Sequence, residues 1–181
     1  FSSFSNTDGG KLLIGIKDNG NVAGVRSDEE FYMIEAAAHL FCKPEVRFTS
    51  KEWNINGKLI LEVDIPKAIE NKPILAKNED GKWLAYIRVN DQNILANHII
   101  LEVWKREKTD KGVLVEFTDS EKLLLRHLEY NERINFTQLR KFTGLNYRQA
   151  EELLINFISL NIIEIFFTEK EVYYKLCKGW N

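Results

Sequence analysis

The chain has 181 residues, of which 44% are hydrophobic and 29% charged, the balance of a folded globular protein and not of a disordered one. Its 25 basic and 27 acidic residues leave a formal charge of −2, so a polyanionic partner has to be met by local patches, not by bulk charge. No apolar run reaches the roughly 18 residues of a membrane helix, and two widely separated cysteines, Cys42 and Cys177, argue against a disulfide framework and for a reducing cytoplasm.

Phe1–Lys11 lacks the basic and apolar regions of a signal peptide. A strand signal follows almost at once and no initiator Met precedes it, so further N-terminal sequence is expected. Lys11–Lys17 reads as a buried strand, closed by the turn Asp18–Asn21 and returning along Val22–Val25. Asp28–Phe41 carries Phe31, Ile34, Ala38 and Phe41 near helical spacing, with Ser27 or Asp28 as cap and Pro44 beyond the end. Val46–Trp53 and Lys58–Pro66 flank Asn54–Gly57 and form a β-hairpin. The second strand alternates as Leu59, Leu61, Val63 and Ile65. Pro73–Lys77 and Trp83–Val89 make another strand pair across Asn78–Gly81. Leu95–Glu107 has the stripe Leu95, Ile99, Ile100, Val103 and Trp104 of an amphipathic helix, expected to lie on the sheet.

The polar run Lys105–Gly112 marks the expected hinge, which gives domains 1–108 and 113–181. Beyond it, helices are expected over Asp119–Asn131, Phe136–Thr143 and Asn146–Leu160, the second stopping at Gly144. Ile162–Phe167 and Glu171–Leu176 then form a terminal hairpin. Three helices and a hairpin in that order, with a Gly turn between the second and third helices, are the pattern of a winged helix-turn-helix.

The stretch Ser5-Asn6-Thr7-Asp8-Gly9-Gly10-Lys11-Leu12-Leu13-Ile14-Gly15-Ile16-Lys17-Asp18-Asn19-Gly20, followed by Val22-Ala23-Gly24-Val25, resembles the Schlafen/AlbA domain, as does Tyr86-Ile87-Arg88-Val89-Asn90. The matches run from about Ser2 to Val103. The resemblance implies an α+β fold: a mixed sheet-and-helix domain followed here by a small winged helix-turn-helix. In bacterial members it implies a DNA-binding or transcriptional-regulator protein, for which a C-terminal winged helix is a frequent companion. In eukaryotic relatives the domain can be an RNA-cleaving nuclease with two upstream glutamates and an Asp near the end of the glycine-rich strand. Asp18 falls at or close to that last position, and the glutamate motif has no counterpart in this sequence.

Several residue groups carry candidate chemistry. The paired Gly9 and Gly10 leave amide N–H groups accessible for a phosphate oxygen, or simply let a helix reverse into a central strand. No Walker loop occurs, so nothing in the residues supports ATP binding. Asp18, with Asn19, suits a tight turn, and it is catalytic only if the protein is a nuclease holding Mg²⁺, which needs several converging carboxylates. Glu62 and Asp64 share a strand face as solvated charges. His39 and Cys42 are two soft ligands where structural zinc wants four, so no metal or other cofactor is expected.

On the third helix of the second domain, Asn146, Arg148, Gln149, Glu152 and Ile155 are expected to face outward, with Tyr147 near the start. Arg148 and Gln149 can read base edges, and Arg140 and Lys141 can sit on phosphates. Glu151 and Glu152 oppose this, and residues 113–181 hold nine basic and ten acidic residues. Arg88 and Lys17, with Lys11, are expected as a basic patch along a sheet edge of the first domain. The reading is a non-enzymatic DNA-binding transcriptional regulator, cytoplasmic, with double-stranded DNA as partner and a homodimer left open. Two alternatives stand beside it: a metal-dependent nuclease acting on RNA or DNA, and a protein-interaction scaffold dimerising through Ile155 and Phe166.

Overall fold

The computed structural model describes residues 1–109 and 117–180. It is an α+β protein with three antiparallel sheets and six helices among those residues. The chain divides into two compact units, Phe1–Ala96 and Asn97–Asn181.

The first unit opens with a short helix α1 (Ser2–Asn6) and strand β1 (Gly10–Ile14). Helix α2 (Glu29–His39) and a two-residue strand β2 (Cys42–Lys43) follow, then the hairpin β3 (Thr49–Ile55) and β4 (Lys58–Ile65). The unit ends with β5 (Leu75–Lys77), β6 (Trp83–Val89) and β7 (Gln92–Leu95). The β3–β4 turn uses Asn56 and Gly57, both at positive φ (52° and 78°), the two-residue hairpin that Asn-Gly favours. One sheet has the order β1-β4-β3, so β1 is paired only on its β4 side and β4, not β1, is central. The other has the order β2-β5-β6-β7.

The alternation expected along β4 holds from Leu61 onward, whereas Leu59 is 37% exposed and Ile60 is buried. Leu61, Val63 and Ile65 point to one face and bury against Leu12, Ile14, Ile34 and Ala38. Glu62 and Asp64 lie on the opposite face. Each buried aliphatic side chain of this kind contributes about 2 kcal/mol of transfer free energy, which makes the α2–sheet layer the core of the first unit.

The second unit contains α3 (His98–Glu107), α4 (Asp119–Tyr130), β8 (Ile134–Asn135), α5 (Phe136–Thr143), α6 (Tyr147–Ser159), β9 (Ile163–Phe167) and β10 (Val172–Leu176). Its sheet runs β8-β10-β9, antiparallel throughout. Asn135 and Asn146 each form a capping box, with Gln138 and Gln149 respectively, so both helices start where the sequence sets them. Gly144, at φ 72°, ends α5 in the left-handed conformation and turns the chain into α6. The core gathers Leu124, Leu128, Ile134, Leu139, Ala150, Leu154, Phe157 and Tyr174, all buried.

The apolar stripe of α3 buries Ile99, Ile100, Val103 and Trp104 as expected, but its packing partner within this unit is α6. Helix α3 is grouped with the second unit. The hinge expected at Lys105–Gly112 is helical through Glu107, and residues 110–112 lie outside the described residues. Among the described residues, no helix is long and apolar enough to cross a membrane.

Candidate nucleic-acid interface

Asn6 is the most heavily bonded side chain of the first unit. Its amide donates to the carbonyls of Ile74 (2.8 Å) and Tyr86 (2.9 Å), and its oxygen accepts from the Ile74 N–H (2.8 Å). Ser2 adds a hydroxyl bond to the Ile74 carbonyl (2.7 Å), and the Arg88 N–H donates to the Thr7 hydroxyl (2.8 Å). The Ser-x-x-x-Asn-Thr run thus fastens α1 to β6 and to the segment before β5. These are backbone groups that would otherwise be buried without partners.

The glycines that follow serve this geometry. Gly9 has φ 75°, and a Cβ there would stand 2.7 Å from the Ile65 carbonyl oxygen. A Cβ on Gly10 would stand 2.5 Å from the Phe4 ring. The Gly9 N–H donates to the Phe4 carbonyl (2.8 Å). Close backbone approach therefore accounts for both residues, and one of the two amides considered for a phosphate is engaged within the fold.

The basic residues expected on one sheet edge are distributed differently. Lys11 lies on β1 in one sheet and Arg88 on β6 in the other, while Lys17 is exposed beyond β1. Lys11 donates to Glu62 (2.5 Å), which also accepts from the Trp53 indole (2.8 Å). These two bonds hold the Glu62 carboxyl below its ordinary range, Lys11 contributing most. Arg88 donates to Asn93 (3.1 Å), pairs with Asp91 (3.7 Å) and stacks over Phe4, leaving its side chain 27% exposed.

Asp18 is exposed in its turn, where Asn19 accepts from the Asn21 N–H (3.0 Å). Among the described residues no three of His, Cys, Asp and Glu are grouped to hold a metal ion. His39 is exposed beside Glu45 (3.3 Å), and Cys42 is buried.

In the second unit, the structure brings the expected residues together at the turn between α5 and α6. Arg140 and Lys141 lie in the last turn of α5; Tyr147, Arg148 and Gln149 open α6. All five are exposed, and the Arg140 guanidinium stands 5.6 Å over the Tyr147 ring. Ion pairs engage Lys105, Arg106, Lys122 and Lys175 with nearby acids. Arg140, Lys141 and Arg148 have no acidic partner among the described residues.

Ile155, expected to face outward, is only 2% exposed. It lies on the flank of α6 that α3 packs against, where Arg106 donates to Asn156 (2.5 Å) and Glu152 (2.6 Å). The outward face of α6 is therefore open from Tyr147 to Glu152, whose side chain is 57% exposed, and buried at Ile155. Of the two residues named for a dimer contact, Ile155 is buried within the unit and Phe166 on β9 is half exposed. Sequence reasoning missed the Arg106 bridge, because its partners lie 46 and 50 residues away.

No curated protein and no solved structure matches the chain. The family model described as "Schlafen, AlbA_2" matches residues 1–97, a span that takes in the Asn6 clasp, both glycines and the whole of the two sheets of the first unit. By that match the chain belongs to the Schlafen, AlbA_2 family, which is associated with nucleic-acid binding.

Proposed function

We propose that the protein is a non-enzymatic DNA-binding transcriptional regulator whose second unit is a winged helix-turn-helix. Supporting this reading are the element order α4-β8-α5-α6-β9-β10, the antiparallel sheet β8-β10-β9, and the tight Gly144 turn between the two helices. The observation that carries it is the set of three exposed cations, Arg140, Lys141 and Arg148, around that turn. Four other cations of the same unit are engaged in ion pairs, and among those left exposed these three sit together around the start of α6. Exposed and unneutralised cations are what release counterions from DNA phosphates.

Because α3 covers the later turns of α6, the contact is made by the N-terminal end of the helix and not along its length. Tyr147, Arg148 and Gln149 then approach the duplex, with Arg140 and Lys141 on flanking phosphates. The hairpin tip, Glu169-Lys170-Glu171, carries no positive excess and contributes little attraction. The family association with nucleic acids supports a second contact from the first unit, where Lys17 is exposed while Lys11 and Arg88 are paired with acids.

An electrophoretic shift with random-sequence duplex DNA at low salt tests the reading. The expected result is a shift by the full chain that is lost in the triple variant R140A/K141A/R148A. Absence of any low-salt shift, or unchanged binding by the triple variant, overturns it.

A further inference from the structure

A recess of about 320 Å³ opens in the second unit where the first turns of α3, α5 and α6 meet β10. Tyr174, 1% exposed, stands in its wall, and Phe136 and Tyr147 meet edge to face beside it with ring centres 4.9 Å apart. Glu151 lines the same space with its side chain only 13% exposed. No hydrogen bond from the described residues reaches the Glu151 carboxylate. Its one cationic neighbour within 4 Å is His98, whose Nδ1 lies 3.5 Å away and is charged only when protonated. Glu171 adds a second carboxylate from β10's approach, which accepts from Asn135 (3.4 Å) and is hydrogen-bonded to the Tyr173 side chain.

A carboxylate open to a recess and flanked by apolar side chains is a ready counter-ion for a cation that enters there. The Phe136 and Tyr147 rings beside it are aromatic surface that attracts the same kind of charge. Inorganic ions fit poorly, since the described residues gather no third ligand of the His, Cys, Asp and Glu type here. One positive group, Arg140, lies at the outer face of the Tyr147 ring. Two carboxylates against that single arginine leave the recess acidic. The volume is at the small end of the range for ligand sites, about 300–1,000 Å³.

We propose that this recess binds a small organic cation, an alkyl- or arylalkyl-ammonium, with Glu151 as its counter-ion and the Phe136–Tyr147 pair as its apolar wall. The proposal does not depend on the protein binding DNA. Recognition works by charge and shape together: the ammonium group replaces the donors that Glu151 lacks, and the hydrocarbon part lies against the rings.

The test is a titration of the full chain with phenethylammonium chloride, alongside 2-phenylethanol and phenylacetate as its neutral and anionic counterparts. Binding is read from the amide shifts of Ile99, Thr137 and Val172 and from the thermal midpoint. The expected result is saturable binding of the ammonium alone, weakened about tenfold or more in Glu151→Gln. Glu171→Gln, at an exposed position that leaves the core untouched, is expected to weaken it by a smaller factor and guards against misreading a folding defect in the first variant. Failure of the ammonium to saturate, equal binding of the alcohol, or affinity unchanged in both variants overturns the proposal.

Discussion

Asn6 uses both ends of its side-chain amide on backbone groups of two distant segments, and that use explains why the residue is buried despite its polarity. Replacing it with Ala would remove three bonds and leave the Ile74 N–H and the Tyr86 carbonyl without their side-chain partner, the Ile74 carbonyl keeping the Ser2 hydroxyl. Each lost buried bond costs about 1 kcal/mol, more where a donor is stranded, so Asn6→Ala is expected to destabilise the first unit by about 3 kcal/mol. Urea unfolding followed through tryptophan fluorescence measures this, and a loss of a few tenths would remove the clasp from the account of the fold. Tyr174 makes the corresponding argument in the second unit. Burial, then the neighbouring Glu151 carboxylate, pushes its phenol well above the ordinary value of 10.0. A folded pKa raised above the unfolded one means stability that is complete below pH 10 and is lost as the pH climbs toward the folded value. The second unit is therefore expected to melt at lower temperature as the pH is raised beyond 10, with Tyr174→Phe flattening that fall. An unaltered slope in the variant would assign the effect to other groups.

At the scale of elements, the sequence was legible where the pattern is local and long enough to count. The alternation of β4, the Asn-Gly hairpin and the two Asn-capped helices α5 and α6 all have their cause within a few residues of themselves. Strands β2 and β8 have two residues each and exist only through partners on β5 and β10, so no local period could reveal them. The site was legible as residue types but not as an environment. Arg140, Lys141 and Arg148 stood out as cations around a glycine turn, whereas the burial of Ile155 depends on α3 arriving from some fifty positions upstream. Helical spacing put Ile155 opposite the core, which is correct for α6 beside its own sheet and wrong once a second helix covers that face. The Arg106 bridge to Glu152 and Asn156 is what this covering adds in polar terms. A partly exposed, two-acceptor arginine contact of this kind contributes about 1 kcal/mol. Arg106→Ala should lower the stability of the second unit by that amount, and the further change Glu152→Ala should then cost almost nothing. Additive losses in the double variant would mean that the two side chains are not coupled.

For the whole molecule, a formal charge of −2 supplies no general attraction for a polyanion, so any DNA affinity has to come from where cations are left unpaired. This makes the salt dependence a sharper test of the proposed interface than the affinity itself. Each phosphate neutralised contributes about 0.9 to the negative slope of log K against log salt. Arg140, Lys141 and Arg148 alone predict a slope of about −3, and Lys17 in the first unit can only steepen it. Arg148→Ala is expected to make the slope shallower by about 1. It should also weaken binding almost equally on unrelated duplexes, because a phosphate contact carries no sequence information. Fluorescence anisotropy over a series of salt concentrations, on two duplexes of different sequence, separates the possibilities. An unchanged slope with reduced affinity would take Arg148 off the phosphates, and a loss confined to one duplex would show that it reads a base edge.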